Sequence, residues 1–248
     1  MNRFAHKIVL VTGGSKGIGK KICLDFAKEG AIVFFFYKSD SLAANETIEE
    51  LQKYHNASQA YQCSTTNEQD VQNNIRNIIK NMGKIDILVN NAGITRDSLF
   101  FLAKLQDWSD VIETNLSGVF LMTKEVSRYM IKQKSGRIIN IASTSAIKAN
   151  VGQTSYAASK AGIIAYTRAV ALELIPYNIF VNSVSPGFIT TELIKTIPEK
   201  MMENIKSAIP LKKIGSPSEV SNSVLFLASE QAGYIVGHNL VIDGGLTL

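Results

Sequence analysis

Residues 7–12, KIVLVT, form an unbroken apolar run that stops at a glycine turn, GGSKGIG, over residues 13–19. A short apolar run without polar alternation is the pattern of a strand buried on both faces, as in parallel sheets covered by helices on either side. The turn opens a helix expected to run to about Glu29. Strand, glycine turn and helix in that order commit the chain to a βαβ beginning. Gly13, Gly17 and Gly19 let backbone approach a phosphate closely, and the N-terminus of the following helix favours an anion. Ser15, Lys16 and Ile18 share that turn, and the whole segment is expected to bind a dinucleotide. The spacing, G-x-x-x-G-x-G, departs from the usual dinucleotide fingerprint and lacks the G-K-[ST] ending of a nucleotide triphosphate loop.

The second apolar run, AIVFFF at 31–36, is the next strand, and its end should meet the adenosine ribose. An acidic residue there would take the free 2′-hydroxyl of NAD. The chain instead offers Tyr37, Lys38 and Ser39, with Lys16 nearby on the turn. Two amines and a hydroxyl suit a 2′-phosphate, so NADP(H) is the expected cofactor. The competing reading makes Lys38 an ordinary solvated loop lysine. Asp40 lies one step further and is expected to cap a helix over 41–54.

Strands and helices then alternate. Strands are expected at about 58–63, 85–93, 136–143, 178–187 and 239–245, and helices at 67–81, 107–133, 155–175 and 217–229. Residues 188–216, punctuated by Pro198 and Pro210, read as a mobile insert with short helices, a substrate-side lid. No composition break interrupts the pattern. The expectation is one α/β domain over 1–248, a Rossmann-type doubly wound parallel sheet of about seven strands with helices on both faces. Small residues after the fourth strand, Asn90, Asn91, Ala92 and Gly93, either pack against bound adenosine or form an ordinary turn. Asn115 sits in an apolar helical stretch, where its amide needs partners; it is a satisfied core amide or part of a polar site.

The stretch STSAIKANVGQTSYAASK, Ser143 to Lys160, carries the chemistry. Ser143 ends the fifth strand, and ligands of open α/β sheets gather at the carboxyl ends of strands. Tyr156 and Lys160, four apart on a helix, share one face. A phenol titrates near ~10, and an ammonium beside it favours the phenolate and lowers that value. The pair is then a proton donor and acceptor near neutral pH. Y-x-x-x-K alone also occurs on many surface helices.

Other function classes find little support. The three histidines, His6, His55 and His238, are scattered, and Cys23 and Cys63 form no metal motif, so no metal site is expected. The net charge of +5 has no long basic block, so no nucleic-acid partner is expected. No apolar run approaches the ~18 residues of a membrane span, and no signal peptide is read, so the expected location is cytoplasmic.

Taken together, TGGSKGIG at 12–19, NNAG at 90–93, Asn115, Ser143, Tyr156 and Lys160 in order, and PGFITT at 186–191 resemble the classical short-chain dehydrogenases/reductases over nearly the whole chain. Within that family the likeness is greatest to the 3-oxoacyl-[acyl-carrier-protein] reductases, through NNAGITRDSLF, ETNLSGVF, PGFITTE and IVGHNLVIDGG. The resemblance implies NADPH-dependent reduction of a 3-oxoacyl thioester in fatty acid biosynthesis, on an acyl-carrier protein or as the CoA thioester, by a homotetramer. It implies that Tyr156 donates the proton, that Ser143 orients the ketone, that Lys160 lowers the Tyr156 pKa and that Asn115 fixes a water. It implies that Pro186, Gly187, Ile189 and Thr191 meet the nicotinamide half. The pair matching the family's adenine contact is Ser64-Thr65, a departure from the Asp-Val or Asn-Val often found there. Of two basic positions that grip the carrier near the site mouth, Lys134 matches one, and Tyr177 stands at the other. The alternatives are a reductase of another ketone, such as a polyketide-type intermediate, a sugar or a steroid, and a catalytically silent dinucleotide-binding protein.

Overall fold

The computed structural model describes residues 2–191 and 199–248, the side chains of 199–201 excepted. Among them, seven strands form one parallel sheet: β1 (Ile8–Thr12), β2 (Ile32–Tyr37), β3 (Gln59–Gln62), β4 (Ile87–Asn90), β5 (Gly136–Ile141), β6 (Ile179–Pro186) and β7 (Asn239–Ile242). The spatial order is β3-β2-β1-β4-β5-β6-β7. Val9 therefore pairs with Val33 on one side and with Ile87 on the other. The order reverses between β1 and β4, which opens a crevice at the carboxyl edge.

The unbroken apolar runs have a direct cause, because alternate side chains face two separate cores. Val9, Val11, Val33 and Phe35 pack with Ile22 and Phe26 of α1 (Gly17–Lys28) and Val220 and Val224 of α8 (Pro217–Ala228). Leu10, Phe34 and Phe36 pack on the other face. There they meet α3 (Glu68–Met82), α5 (Gly118–Gln133) and α6 (Thr154–Leu174). A capping box starts α8: Ser216 N donates to Glu219 Oε2 at 2.6 Å, Ser216 Oγ accepts from Glu219 N, and Pro217 takes the first position. Asp40 begins α2 (Ser41–Gln52) as expected, its Oδ1 accepting from Ala43 N at 3.1 Å.

One expectation needs revision. The region 107–133 is not one helix. It is α4 (Leu105–Ile112), a π turn at Glu113–Ser117, and then α5. The fully buried Asn115 lies in the widened turn. Its amide is committed across the core, so the helix widens around it, the kind of local bulge that recurs at functional positions. The expected lid contains α7 (Glu199–Ala208), and a parallel bridge ties Ile189 to Gly215. The part of that lid at 192–198 lies outside the described residues.

Candidate active site

The glycine turn is shaped by steric exclusion. Gly13 and Gly17 have φ of +65° and +57°, a left-handed conformation that disfavours other residues. A Cβ on Gly19 would stand 2.1 Å from the Gly13 carbonyl oxygen. Asn91 Nδ2 donates to the Thr12 and Gly13 carbonyls, both at 3.0 Å. Thr12 Oγ1 accepts from the backbone N–H of Asn91 and of Ala92, also at 3.0 Å. Asn91 therefore staples the turn to the exit of β4 through its Nδ2. Asn90 points into the core, donating to Thr123 Oγ1 and Asn140 Oδ1. Ile18 packs its side chain against the first core.

A cleft of about 200 Å³ opens beside this turn. Gly13, Ser15, Lys16 and Lys38 line one side, and Ser64, Thr65, Ala92 and Gly93 the other. The Ser64-Thr65 pair, which departs from the family pattern, thus lines this cleft. Asp40 and Ser39 line the same cleft. Lys16 Nζ lies 3.4 Å from Asp40 Oδ2, an exposed ion pair. The Ala43 N–H holds the Asp40 carboxyl below its ordinary pKa, with Lys16 adding to the effect. Phe36, Cys63, Thr66, Ile94 and Thr114 also line this cleft and are not among the expected binding residues.

Gly93 links the cleft to the second half of the site. A Cβ there would stand 3.3 Å from Asn115 Oδ1 and 3.4 Å from Lys160 Nζ. Asn115 accepts from Ile94 N at 2.8 Å and donates to the Ile94 carbonyl and to Ser159 Oγ, each at 3.0 Å. Its side chain is fully used.

The loop after β6 spans the two halves. Thr144 Oγ1 donates to the Pro186 carbonyl at 3.3 Å, and Gly187 N donates to the Ile242 carbonyl at 2.9 Å. Ile189 is buried, and Thr191 Cγ2 lies 3.6 Å from where a Cβ of Gly17 would stand. The loop thereby runs from the end of β5 back to the glycine turn.

Ser143, Tyr156 and Lys160 converge at the carboxyl end of β5. Lys160 is buried and donates to the Ile141 carbonyl at 2.7 Å. Its Nζ lies 5.6 Å from the centre of the Tyr156 ring. Burial lowers the Lys160 pKa from 10.5 to about 8. The phenol behaves differently from the expectation that Lys160 lowers its pKa. Burial raises it, the Ser143 hydroxyl pulls it partly back, and the Asp97 carboxylate raises it further. The phenol's own desolvation is the largest cause, and no lowering by Lys160 accompanies it. Ser143 Oγ itself accepts from Ser145 N at 3.1 Å.

A second cleft, of about 370 Å³, begins at Thr144 and is walled by Lys148, Phe188, Ile205 and Leu246. Phe188 and Ile205 belong to the expected substrate-side insert at 188–216, whereas Lys148 and Leu246 are not among the expected site residues. Lys148 stands inside the stretch that carries the catalytic candidates but has none of their family spacing. Lys134 is misplaced by the sequence reading. It caps the far end of α5, just before β5 begins, and its carbonyl accepts from Asn178 Nδ2 at 3.1 Å. The length of β5 separates it from Ser143, roughly 20 Å at 3.3 Å per residue. Lys134 and Tyr177 therefore lie together on the edge opposite the site mouth of their own chain. Among the described residues no group of three or more His, Cys, Asp or Glu side chains could hold a metal ion.

The comparisons with known proteins agree with this geometry. A family model described as "Enoyl-(Acyl carrier protein) reductase" matches residues 13–247. The chain is 43% identical over 248 residues to a protein of Thermotoga maritima named 3-oxoacyl-[acyl-carrier-protein] reductase FabG, covering 99% of this chain and 100% of that one. It is 43% identical to a 3-oxoacyl-[acyl-carrier-protein] reductase of Synechocystis sp., covering 100% of both. The crystal structure of gox2181 superposes with a TM-score of 0.95 at 31% identity, covering 100% of this chain and 98% of that one. By family model, full-length relatives and fold alike, the chain belongs to the short-chain dehydrogenase/reductase family.

Proposed function

We propose that the protein is an NADPH-dependent reductase of 3-oxoacyl thioesters, acting in fatty acid biosynthesis on substrates carried by acyl-carrier protein. The observation that carries this reading is the convergence of Ser143, Tyr156 and Lys160 at the end of β5, beside a cleft lined by Lys16 and Lys38. The family uses a nicotinamide dinucleotide, and the glycine turn fits one: its positive φ angles and the opening of α1 leave backbone free to meet a diphosphate. Lys16, Lys38 and Ser39 are the groups for a 2′-phosphate. The bound cofactor supplies the hydride.

The chain's own residues handle the oxygen. Negative charge develops on the carbonyl oxygen during reduction, and a nearby acid lowers the cost of that charge. Tyr156 is the proton donor. Its raised pKa keeps the phenol protonated at neutral pH, the form that can donate. Ser143 hydrogen-bonds the same oxygen and fixes the ketone. Lys160 holds the ribose side of the site and stays largely charged below its pKa of about 8. The π turn at Asn115 frees backbone carbonyl capacity for a water through which the proton is replaced.

The matched family model's description favours a second reading, reduction of an enoyl thioester. Incubation with NADPH and either acetoacetyl or crotonyl thioester separates the two. Oxidation of NADPH with acetoacetyl only supports the ketone reading; oxidation with crotonyl only overturns it. Assembly as a homotetramer belongs to the same proposal. Phe100 and Phe101 are 78% exposed and Leu105 79%, near half-exposed Trp108 and Phe120, an apolar surface of the kind copies cover. No described helix is long and apolar enough to cross a membrane, and the proposed setting is the cytoplasm.

A further inference from the structure

We propose that Lys148 limits the length of the acyl group the site accepts, by clasping the loop after Ser143 to the segment around Leu246 across the second cleft. The inference rests on the ketone-reductase reading above and adds a specificity-determining residue to it.

Two chain segments 98 positions apart meet at one bond. Lys148 Nζ donates to the Leu246 carbonyl at 2.8 Å. On the Lys148 side, the loop is set by a short turn: Lys148 N donates to the Thr144 carbonyl at 2.8 Å, one residue from Ser143. On the Leu246 side, Asp243 accepts from Gly245 N, Thr247 N and Thr247 Oγ1, which fixes the segment's course. The Leu246 side chain is itself buried, packed with Ile205, Ile209 and Phe188. Lys148 and Leu246 both line the cleft of about 370 Å³ that starts beside Ser143.

A ketone held at Ser143 and Tyr156 directs its acyl chain away from the cofactor side, and this cleft shares no lining residue with the cofactor cleft. Phe188, Ile205 and Leu246 offer apolar surface to the first methylenes. Lys148 is an exposed residue, so a longer chain running along this cleft covers an ammonium now in contact with water, whose bond to Leu246 uses one of its three donors. Methylenes satisfy none of the others, so covering the charge carries a desolvation cost that outgrows the gain per added methylene. Short 3-oxoacyl groups stop before that cost arises.

The test is kcat/KM with NADPH for four-, eight- and twelve-carbon 3-oxoacyl-CoA thioesters, in wild type, Lys148→Met and Lys148→Arg. Melting temperature checks each variant, and Lys148→Gln serves as a second neutral variant should Met compromise folding. Wild type should lose at least about tenfold from four to twelve carbons, a factor in the range for burying an imperfectly paired polar group. Lys148→Met should recover most of that ratio, and Lys148→Arg should keep the wild-type profile. A flat wild-type profile, an unchanged ratio in the neutral variants, or equal relaxation in Arg and Met overturns the role of Lys148 while leaving the ketone-reductase reading standing. Failure to reduce any of the three thioesters removes the reading itself, and the inference with it.

Discussion

Lys160 Nζ lies 5.6 Å from the centre of the Tyr156 ring while donating to the Ile141 carbonyl at 2.7 Å, so one strand end fixes the cation beside the phenol. The arrangement couples the two side chains to β5 rather than to helix geometry alone. Removing only the phenolic oxygen therefore isolates the proton-transfer role. Tyr156→Phe should retain the fold and cofactor affinity while turnover drops by ~10²–10⁴-fold, the usual range for general acid catalysis. Single-turnover rates beside a cofactor titration check this; near-normal turnover removes Tyr156 from the role.

The depressed pKa of Lys160 gives a pH signature. Its charge is lost through about pH 8 in the folded protein, against 10.5 as a free side chain. The alkaline limb of kcat/KM, which reports the free enzyme, should therefore fall near pH 8. Stability follows with a definite sign. Between pH 8 and 10.5 the unfolded chain binds the proton and the folded one does not, so this residue's contribution to stability rises with pH there. Lys160→Met should raise Tm at pH 7, and the gain should shrink as pH climbs through that window. A gain independent of pH contradicts a buried, charged Lys160.

The proposed preference for NADPH assigns cofactor choice to Lys16, Lys38 and Asp40. Lys38→Asp should weaken NADPH binding and favour NADH. Asp40→Asn keeps a good helix cap while removing the carboxylate that now holds Lys16 at 3.4 Å. It should tighten NADPH binding several-fold with little change in Tm. Fluorescence titration with both cofactors reads the two variants. Tighter NADH than NADPH binding in wild type would show that Asp40, not Lys38, governs the ribose end.

Gly19 tests the turn itself. An added methyl would meet the Gly13 carbonyl at 2.1 Å and Asn91 Nδ2 at 2.5 Å, and the backbone partner cannot rotate away. Gly19→Ala should cost about 1–3 kcal/mol of stability and weaken binding of both cofactors together. Denaturant unfolding and the same titration measure it, and a neutral result contradicts the close packing of α1 on the turn.

The parts legible in the sequence were those with local causes. Val9, Val11, Phe34 and Phe36 announced buried strands because both faces of a parallel sheet are covered, and the glycines marked the turn because little else fits. The order Ser143, Tyr156, Lys160 survived because strand end and helix face are short-range geometry. The π turn at Glu113–Ser117 was marked only by the buried amide of Asn115: neither proline nor glycine falls within it, and its partners, Ile94 and Ser159, are far along the chain. Lys134 was misjudged for the same reason, since a family position says nothing of which end of β5 it occupies. Lys148 was invisible because its partner, Leu246, is distant in sequence.

The central claim is best tested by kcat/KM for one 3-oxoacyl group, acetoacetyl, presented on acyl-carrier protein and on CoA, with NADPH and with NADH, at low and moderate salt. The motive for carrier preference is the naming of full-length relatives for acyl-carrier-protein substrates, together with Lys206 and Lys212 beside the second cleft, Lys213 being already paired with Glu219 at 2.6 Å. The account predicts reduction of the ketone with NADPH strongly preferred over NADH. It also predicts an advantage for the carrier-borne group that shrinks as salt screens the encounter. No ketone reduction with either cofactor, or faster turnover with NADH, contradicts it.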